Sequence, residues 1–369
     1  MKGRIYLLAM AMIFAAATAR AQGDNAASCY SEALTLLQYP TTEGARQKIE
    51  GIAKNGWREP FKEMEALVGD NEPCLGAVKK AAAITTCNFG SPPPLNKLQD
   101  LDWMILLSCR YFEQRGDIKK AADLYFSSLA LASHVGQDGA AASKMLALRL
   151  EKNTYFSLRN TIESCTVDQD NLERITQYLD TYQKRRFPAA DLVEAQKGSF
   201  MAVVQTVADD IIKKSGEQSG SDAALQQKAQ SVAGEFLKQR DQLADKYYGN
   251  FKKAAETNSE VDWDLASQEV EAVRKALDPN PLENVKDISG LLIDSCVKVQ
   301  TTEEPDRQYV KKIVKAMLVK AIPDFTKPVA SYYSNVNDLE GLKSLIRWHL
   351  NRFKADKEGA VSSVFIPEN

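Results

Sequence analysis

Apolar residues along this chain recur at helical spacing, and the strict alternation that marks half-buried strands is scarce. The pattern predicts a first helix from about Ala26 to Leu37, stopping before Pro40, and a second from about Thr42 to Lys54, ended by Asn55-Gly56 as a left-handed cap. Helices follow from about Pro60 to Val68 and from Cys74 to Thr86, and Pro92-Pro93-Pro94 then excludes a helix interior. Next come Leu95 to Arg115, a Gly116-Asp117 turn, and Ile118 to Val135. Longer helices are expected over about 138–165, 169–184 and 189–214. A Ser- and Gly-rich stretch, Ser215–Ser221, reads as a linker. Residues from about Asp222 to Thr257 read as one helix roughly 50 Å long. Its apolar stripe is Leu225, Ala229, Val232, Phe236, Leu243, Tyr247 and Phe251.

After the Asp278-Pro-Asn-Pro281 break come two clean stripes. Val310, Ile313, Val314, Met317, Leu318, Ala321 and Ile322 form the first; Leu342, Leu345, Ile346, His349, Leu350 and Phe353 form the second. A Lys-rich polar face on the first would suit an anionic membrane surface. A bundle helix with its stripe turned inward explains both equally well. The expected architecture is all-α: helical hairpins over 22–214, a linker at 215–221, and longer bundle-like helices over 222–369.

The hairpin around Gly116-Asp117 is the clearest supersecondary unit. Small Cys109 and aromatic Phe112 lie on its first helix, and Ala121, Tyr125, Leu129 and Leu131 on its second. Small residues let the helices approach while Tyr125 fills the gap between them. The unit is similar to a tetratricopeptide hairpin, with departures. Ser108 stands where that motif has Leu, no Pro closes the unit, and no copy recurs about 34 residues on.

The N-terminus bears on location. Lys2 and Arg4 precede an uncharged, mostly apolar run from Ile5 to Ala17, and Ala19-Arg20-Ala21 offers an A-x-A cleavage site before Gln22. Such a run is too short for a bilayer core of roughly 30 Å, so residues 1–21 read as a cleaved export signal and no transmembrane segment is expected afterwards. Cleavage removes three basic residues and no acidic one, leaving 44 basic against 49 acidic side chains, a net charge of −5. That balance supplies no electrostatic argument for nucleic acid. With 44% hydrophobic and 26% charged residues, there is material for a folded core. The expected location is the periplasm or the extracellular space.

Export changes the meaning of the cysteines. Cys29, Cys74, Cys87, Cys109, Cys165 and Cys296 permit disulfides in an oxidising compartment, and none sits at C-x-x-C spacing. Cys29 lacks the Leu three residues upstream that a lipid anchor would carry. Cys74 and Cys87, at opposite ends of one expected helix, stand roughly 20 Å apart, beyond the reach of a bridge. If the Pro92–Pro94 break sets the helix from Leu95 antiparallel to the one before it, Cys109 comes level with Cys74. Cys74–Cys109 is therefore the expected bridge, with Cys29 a competitor for Cys74.

Candidate chemistry is sparse. H-E-x-x-H, G-x-S-x-G and G-x-x-x-x-G-K-[ST] are absent. Asp168-Gln-Asp170 opens like an EF-hand loop, but Leu172 and the missing central Gly argue against calcium. His134 closes a helix, where an imidazole can satisfy a terminal carbonyl and suits the helix dipole, and it is the one candidate functional residue. His349, inside an apolar stripe, reads as a buried core histidine. Asp209-Asp210, Glu303-Glu304 and Asp262/Asp264 are carboxylate pairs of the kind an acid-rich chain contains by chance, and Trp57, Trp103, Trp263 and Trp348 are scattered. No cofactor or metal is implied.

Several fragments together resemble a broad group of uncharacterised exported α-helical bacterial proteins. They are Asn25-Ala26-Ala27 with Tyr30, Ala33, Leu34 and Leu37; Cys87-x-Phe89-Gly90; Arg110 through Gly116-Asp117 to Leu131-Ala-Ser-His134-x-Gly136-Gln-Asp138; and Asn280-Pro281. The likeness covers about residues 25–165 and departs after Asp138, where small Ala residues stand. It implies an all-α envelope protein and carries no activity, so no catalytic residue is transferred.

The leading expectation is a non-enzymatic envelope protein whose helical surface binds a protein or peptide, because stacked hairpins make extended concave surfaces. The alternatives are a hydrolase-type enzyme using carboxylates or His134 in an inter-domain cleft, and a purely structural component. The export reading predicts a mature chain beginning at Gln22; N-terminal sequencing of the periplasmic or secreted protein checks it, and a full-length chain retaining Met1 contradicts it.

Overall fold

The computed structural model describes residues 25–56, 62–90, 93–219, 223–257, 260–275, 318, 322 and 326–357. The expected signal segment, Cys296, the Asp278–Pro281 break and most of the Val310–Ile322 stripe lie outside them; Leu318 and Ile322 are described and buried. The described chain is α-helical and contains no strand, with one isolated bridge between Asn25 and Thr86. Contacts divide it into two units, 1–187 with 331–369, and 188–330.

In the first unit the helices are α1 (Ala26–Leu36), α2 (Glu43–Asn55), α3 (Lys62–Asp70), α4 (Glu72–Ala82), α5 (Leu95–Gln114), α6 (Ile118–Gly136), α7 (Ala141–Ser164) and α8 (Gln169–Arg185). The last helix, α13 (Thr326–Lys357), belongs to this unit from Ser331 onward. Its Leu339, Leu342 and Ile346 join the core, whereas His349 is half-buried beside Trp348 rather than enclosed.

The centre is α5, on which every residue from Leu101 to Arg110 is buried. A helix enclosed on all sides has lost the polar face that a surface helix keeps. The turn after it serves two helices at once. Gly116 takes a positive φ of 73°, Asp117 N–H reaches back to Phe112 O at 2.9 Å, and the Asp117 carboxylate accepts from Lys120 N at 3.1 Å as the α6 N-cap. The hairpin expected at Gly116-Asp117 is therefore present, and Ala121 is buried. At the far end of α6, a side chain on Gly136 would collide with the Phe187 ring, whose Cδ1 would stand 2.6 Å from the added Cβ.

Burial of α5 brings Arg110 into the core, where it holds the end of another helix. Its Nε and one terminal nitrogen donate to the carbonyls of Ala53 and Lys54, each at 3.1 Å. Ser157 Oγ and Asn160 Nδ2 on α7 bind the same two carbonyls at 2.9 and 3.0 Å. These are among the last carbonyls of α2, which have no partner within their own helix and would otherwise be buried unsatisfied. Arg110 also pairs with Glu113 at 2.9 Å, and Glu113 receives the Tyr125 hydroxyl at 2.7 Å.

Helix α4 departs from expectation. It stops at Ala82 rather than continuing to Thr86, and the segment after it binds other elements through its carbonyls. Thr86 O accepts from Ala26 N at 3.0 Å, while Asn25 binds both backbone groups of Asn88 and caps α1. Asn71, at the start of α4, exchanges two 2.9 Å bonds with Gln38 just past α1. Helices α1 and α4 thus pair antiparallel, and α4 packs principally on α1 and α6 rather than returning against α5. That removes the geometry behind the expected Cys74–Cys109 bridge. Cys29, Cys74, Cys87, Cys109 and Cys165 are all free thiols.

The second unit contains α9 (Ala189–Ser219), α10 (Ala223–Leu243), a π-helical turn (Ala244–Tyr248), α11 (Gly249–Thr257) and α12 (Glu260–Lys275). The long helix expected over 222–257 is present, interrupted only in winding. The wider turn brings Ala244, Tyr247 and Tyr248 to the buried side, and Tyr248 packs against Phe200 of α9 at 5.6 Å. Residues 215–219, expected to begin a linker, continue α9, and 220–222 lie outside the described residues. The unit boundaries fall instead at Phe187/Pro188 and Ala330/Ser331.

Replacing Arg110 with Met should lower unfolding free energy by about 3–5 kcal/mol, since it leaves Glu113 charged and buried and takes a donor from each of the Ala53 and Lys54 carbonyls. Urea titration measures this, and a loss below about 1 kcal/mol would show that the network is not holding α2.

Candidate functional site

His134 lies in the last turn of α6, and its environment tests the sequence reading directly. Its Nε2 is 2.9 Å from Ile84 O, and its Nδ1 is 2.9 Å from the Tyr30 hydroxyl. A carbonyl can only accept, so Nε2 carries the proton and Nδ1 accepts from Tyr30. The imidazole does satisfy a carbonyl, but one in the segment after α4 rather than at the end of its own helix. Burial lowers the His134 pKa below the usual imidazole value of 6.5; the bond to Ile84 opposes this, and the charge of Arg185 reinforces it. The neutral ring has no free nitrogen with which to take a proton from a substrate. It is a fastener joining α1, α6 and the segment following α4. The Tyr30 ring completes the joint, edge-on to His134 at 5.6 Å and stacked on Phe89 at 6.2 Å.

Beside this joint is a cavity of about 210 Å³ lined by Ala82, Thr85, Ala130, Ser133, His134, Gln137, Tyr178, Thr181, Tyr182 and Arg185. The walls come from α4, α6 and α8, all within the first unit. Gln137 closes one side, accepting from Cys87 N at 2.8 Å and donating to Thr85 O at 3.0 Å. Tyr178 stacks on Phe126 at 3.9 Å and donates its hydroxyl to Phe126 O at 2.7 Å; burial pushes its pKa up to about 12. Tyr182 gives its hydroxyl to the buried Glu151 at 2.6 Å. Each of these polar side chains is already spoken for by the fold, and Arg185 is the one charged side chain among the lining residues.

Two further buried clusters carry titratable groups. Glu151 takes Arg186 through bonds of 2.7 and 2.8 Å and Asn335 of α13 at 3.0 Å, tying α7, α8 and α13 together. Asp102 on α5 is fully buried and accepts from Ser128 of α6, which also meets Thr154 of α7 at 2.6 Å. Its second oxygen has no partner in hydrogen-bonding geometry, although Asn153 stands close enough to favour the ionised form. Burial outweighs Ser128 and Asn153 and pushes the Asp102 pKa up to about 7. The thiols are no more reactive. Burial pushes Cys74 up to about 11 and Cys87 up to about 12, so neither presents a thiolate near neutral pH.

The remaining sequence candidates resolve simply. Asp168 is the α8 N-cap, accepting from Asn171 N at 2.7 Å, which accounts for the acidic opening that resembled a calcium loop. Among the described residues no group of three or more His, Cys, Asp or Glu side chains is placed to hold a metal ion. No helix among them is long and apolar enough to cross a membrane. Arg185 and Tyr178 escaped the sequence reading, and Tyr30 was not linked to His134, because no motif joins them: Tyr30 and His134 are 104 positions apart. Comparison with protein-family models, curated proteins and solved structures finds no match for this chain.

Asp102 supplies a signed pH test. Its folded pKa of about 7 exceeds the ordinary 3.8, so its stabilising contribution is complete below 3.8 and lost as pH rises through 7. Asp102→Asn cannot ionise. Its melting temperature relative to the native chain should therefore rise between about pH 4 and pH 7, by an amount equivalent to a few kcal/mol, and level off above about pH 7. His134 titrates in both proteins and cancels in the comparison; a difference independent of pH would refute the assignment.

Proposed function

We propose that this chain is an exported, non-enzymatic protein of the cell envelope, periplasmic or extracellular, that works by binding a protein or peptide. The observation that carries the reading is the engagement of both His134 ring nitrogens by Tyr30 and Ile84. The one histidine the sequence offered for chemistry is consumed by the fold, and the buried thiols are held protonated. A nucleophile and base within reach of each other, the minimum for hydrolytic chemistry, are not assembled around it. Binding asks less of a scaffold: a rigid helical surface with an accessible anchor.

Such an anchor is available on α7. Phe156 is 48% exposed at the edge of a groove of about 210 Å³ that Lys152, Arg159, Ser334 and Asp338 also line. An exposed aromatic ring flanked by charges of both signs suits a peptide with one apolar side chain and a polar rim. The expected outcome of photo-crosslinking in intact envelopes is a discrete partner that survives competition by unlabelled protein. Phe156→Asp should lower its yield several-fold at an unchanged melting temperature. Equal yields from the two proteins would remove the groove from the proposal, and no specific adduct from the native chain would remove the binding reading itself.

A further inference from the structure

Helix α8 ends on two adjacent arginines with opposite fates. Arg186 is buried and held bidentate by Glu151. Arg185 has no ion-pair partner among the described residues, and it lines the cavity beside His134. Its charge acts on both His134 and Tyr178, opposing protonation of the first and favouring ionisation of the second, which places the guanidinium near both rings. Arg185 is an exposed residue at the mouth of that cavity, and a cation in the last turn of a helix also suits the helix dipole.

No Asp or Glu lines the cavity, so nothing on its walls balances that charge. His134 is neutral with both nitrogens engaged, and the Tyr178 hydroxyl already donates to Phe126 O. Ala82, Ala130 and the tyrosine rings give the cavity apolar wall, with Thr85, Ser133 and Thr181 among the polar lining. The volume of about 210 Å³ corresponds to roughly seven waters at their liquid density. A planar guanidinium matches a carboxylate through two parallel bonds. A single cation favours that singly charged group over phosphate, which would call for more than one.

We propose that this cavity binds a carboxylate attached to a small apolar body. The carboxylate sits on Arg185, with the Ser133 hydroxyl as a second donor, and the body lies against Ala82, Ala130 and Tyr178. The inference rests on the binding reading above and specifies what one pocket of this unit would recognise. The same group could arrive on a free small acid or at the C-terminus of a peptide.

Calorimetric titration of the purified mature chain separates these sources. The probes are benzoate, its neutral counterpart benzamide, and N-acetyl-Ala-Ala-Phe with a free or an amidated C-terminus. At least one carboxylate should bind about tenfold or more tightly than its amide, the scale of one charge-assisted contact. Arg185→Gln should abolish that preference without changing the melting temperature of the free protein, and Arg185→Lys should restore part of it. Preference for benzoate alone assigns the site to free acids; preference for the peptide acid assigns it to a C-terminus. Failure of both carboxylates to bind, equal binding of acid and amide, or an unaltered preference in Arg185→Gln overturns the proposal. A specific partner still captured through Phe156 in that case would leave the binding reading standing while this one falls.

Discussion

The first unit depends on one constraint: α5 is buried around its whole circumference from Leu101 to Arg110, so a charged group on that stretch must find a partner inside. Arg110 meets that demand by binding the terminal carbonyls of α2 and the carboxylate of Glu113. The reverse demand, from the carbonyl end of a buried helix, is met by the same guanidinium. Two groups that would each be costly to bury alone become a joint between helices far apart in sequence. Ser157 and Asn160 bring α7 into the same joint.

This solution recurs through the unit. Asp102, Ser128 and Thr154 tie α5, α6 and α7; Glu151, Arg186 and Asn335 tie α7, α8 and α13; Tyr30, His134 and Ile84 tie α1, α6 and the segment after α4. Helix faces rich in Leu and Ala can slide over one another at little cost in buried area. A directional hydrogen bond between buried partners cannot slide without being broken. The networks therefore set the register of a core whose apolar contacts alone would leave it under-determined. Asp102 is the weakest member, since one of its oxygens is left without a partner.

That economy has a functional consequence. Two groups that the sequence singled out are occupied by the fold, His134 by two neighbours and Asp168 by a helix cap, and Glu151 is held likewise by Arg186. Arg185 in its cavity and Phe156 at its groove are not held in this way. The separation is physical. A general base needs a lone pair directed at solvent or substrate, and the His134 ring has none to offer.

The sequence by itself determined the all-α class and, within a few residues, the helices of the first unit, because helical periodicity and turn chemistry are local. Gly116-Asp117 shows this most clearly: the positive φ and the N-cap are properties of those two residues and their immediate neighbours. Tertiary structure decided what lies beyond that range. The segment after α4 was placed by Ala26, His134 and Gln137, which bind the carbonyls of Thr86, Ile84 and Thr85. Helix α4 took α1 and α6 as partners, a preference set by whole faces rather than by the prolines between the helices. Residues 215–219 remained helical despite their Ser and Gly content, and the boundary moved to Pro188. The cavity was invisible for the same reason. Arg185 and Arg186 are alike in sequence, and only the position of Glu151 on α7 determined which would be buried and which left open.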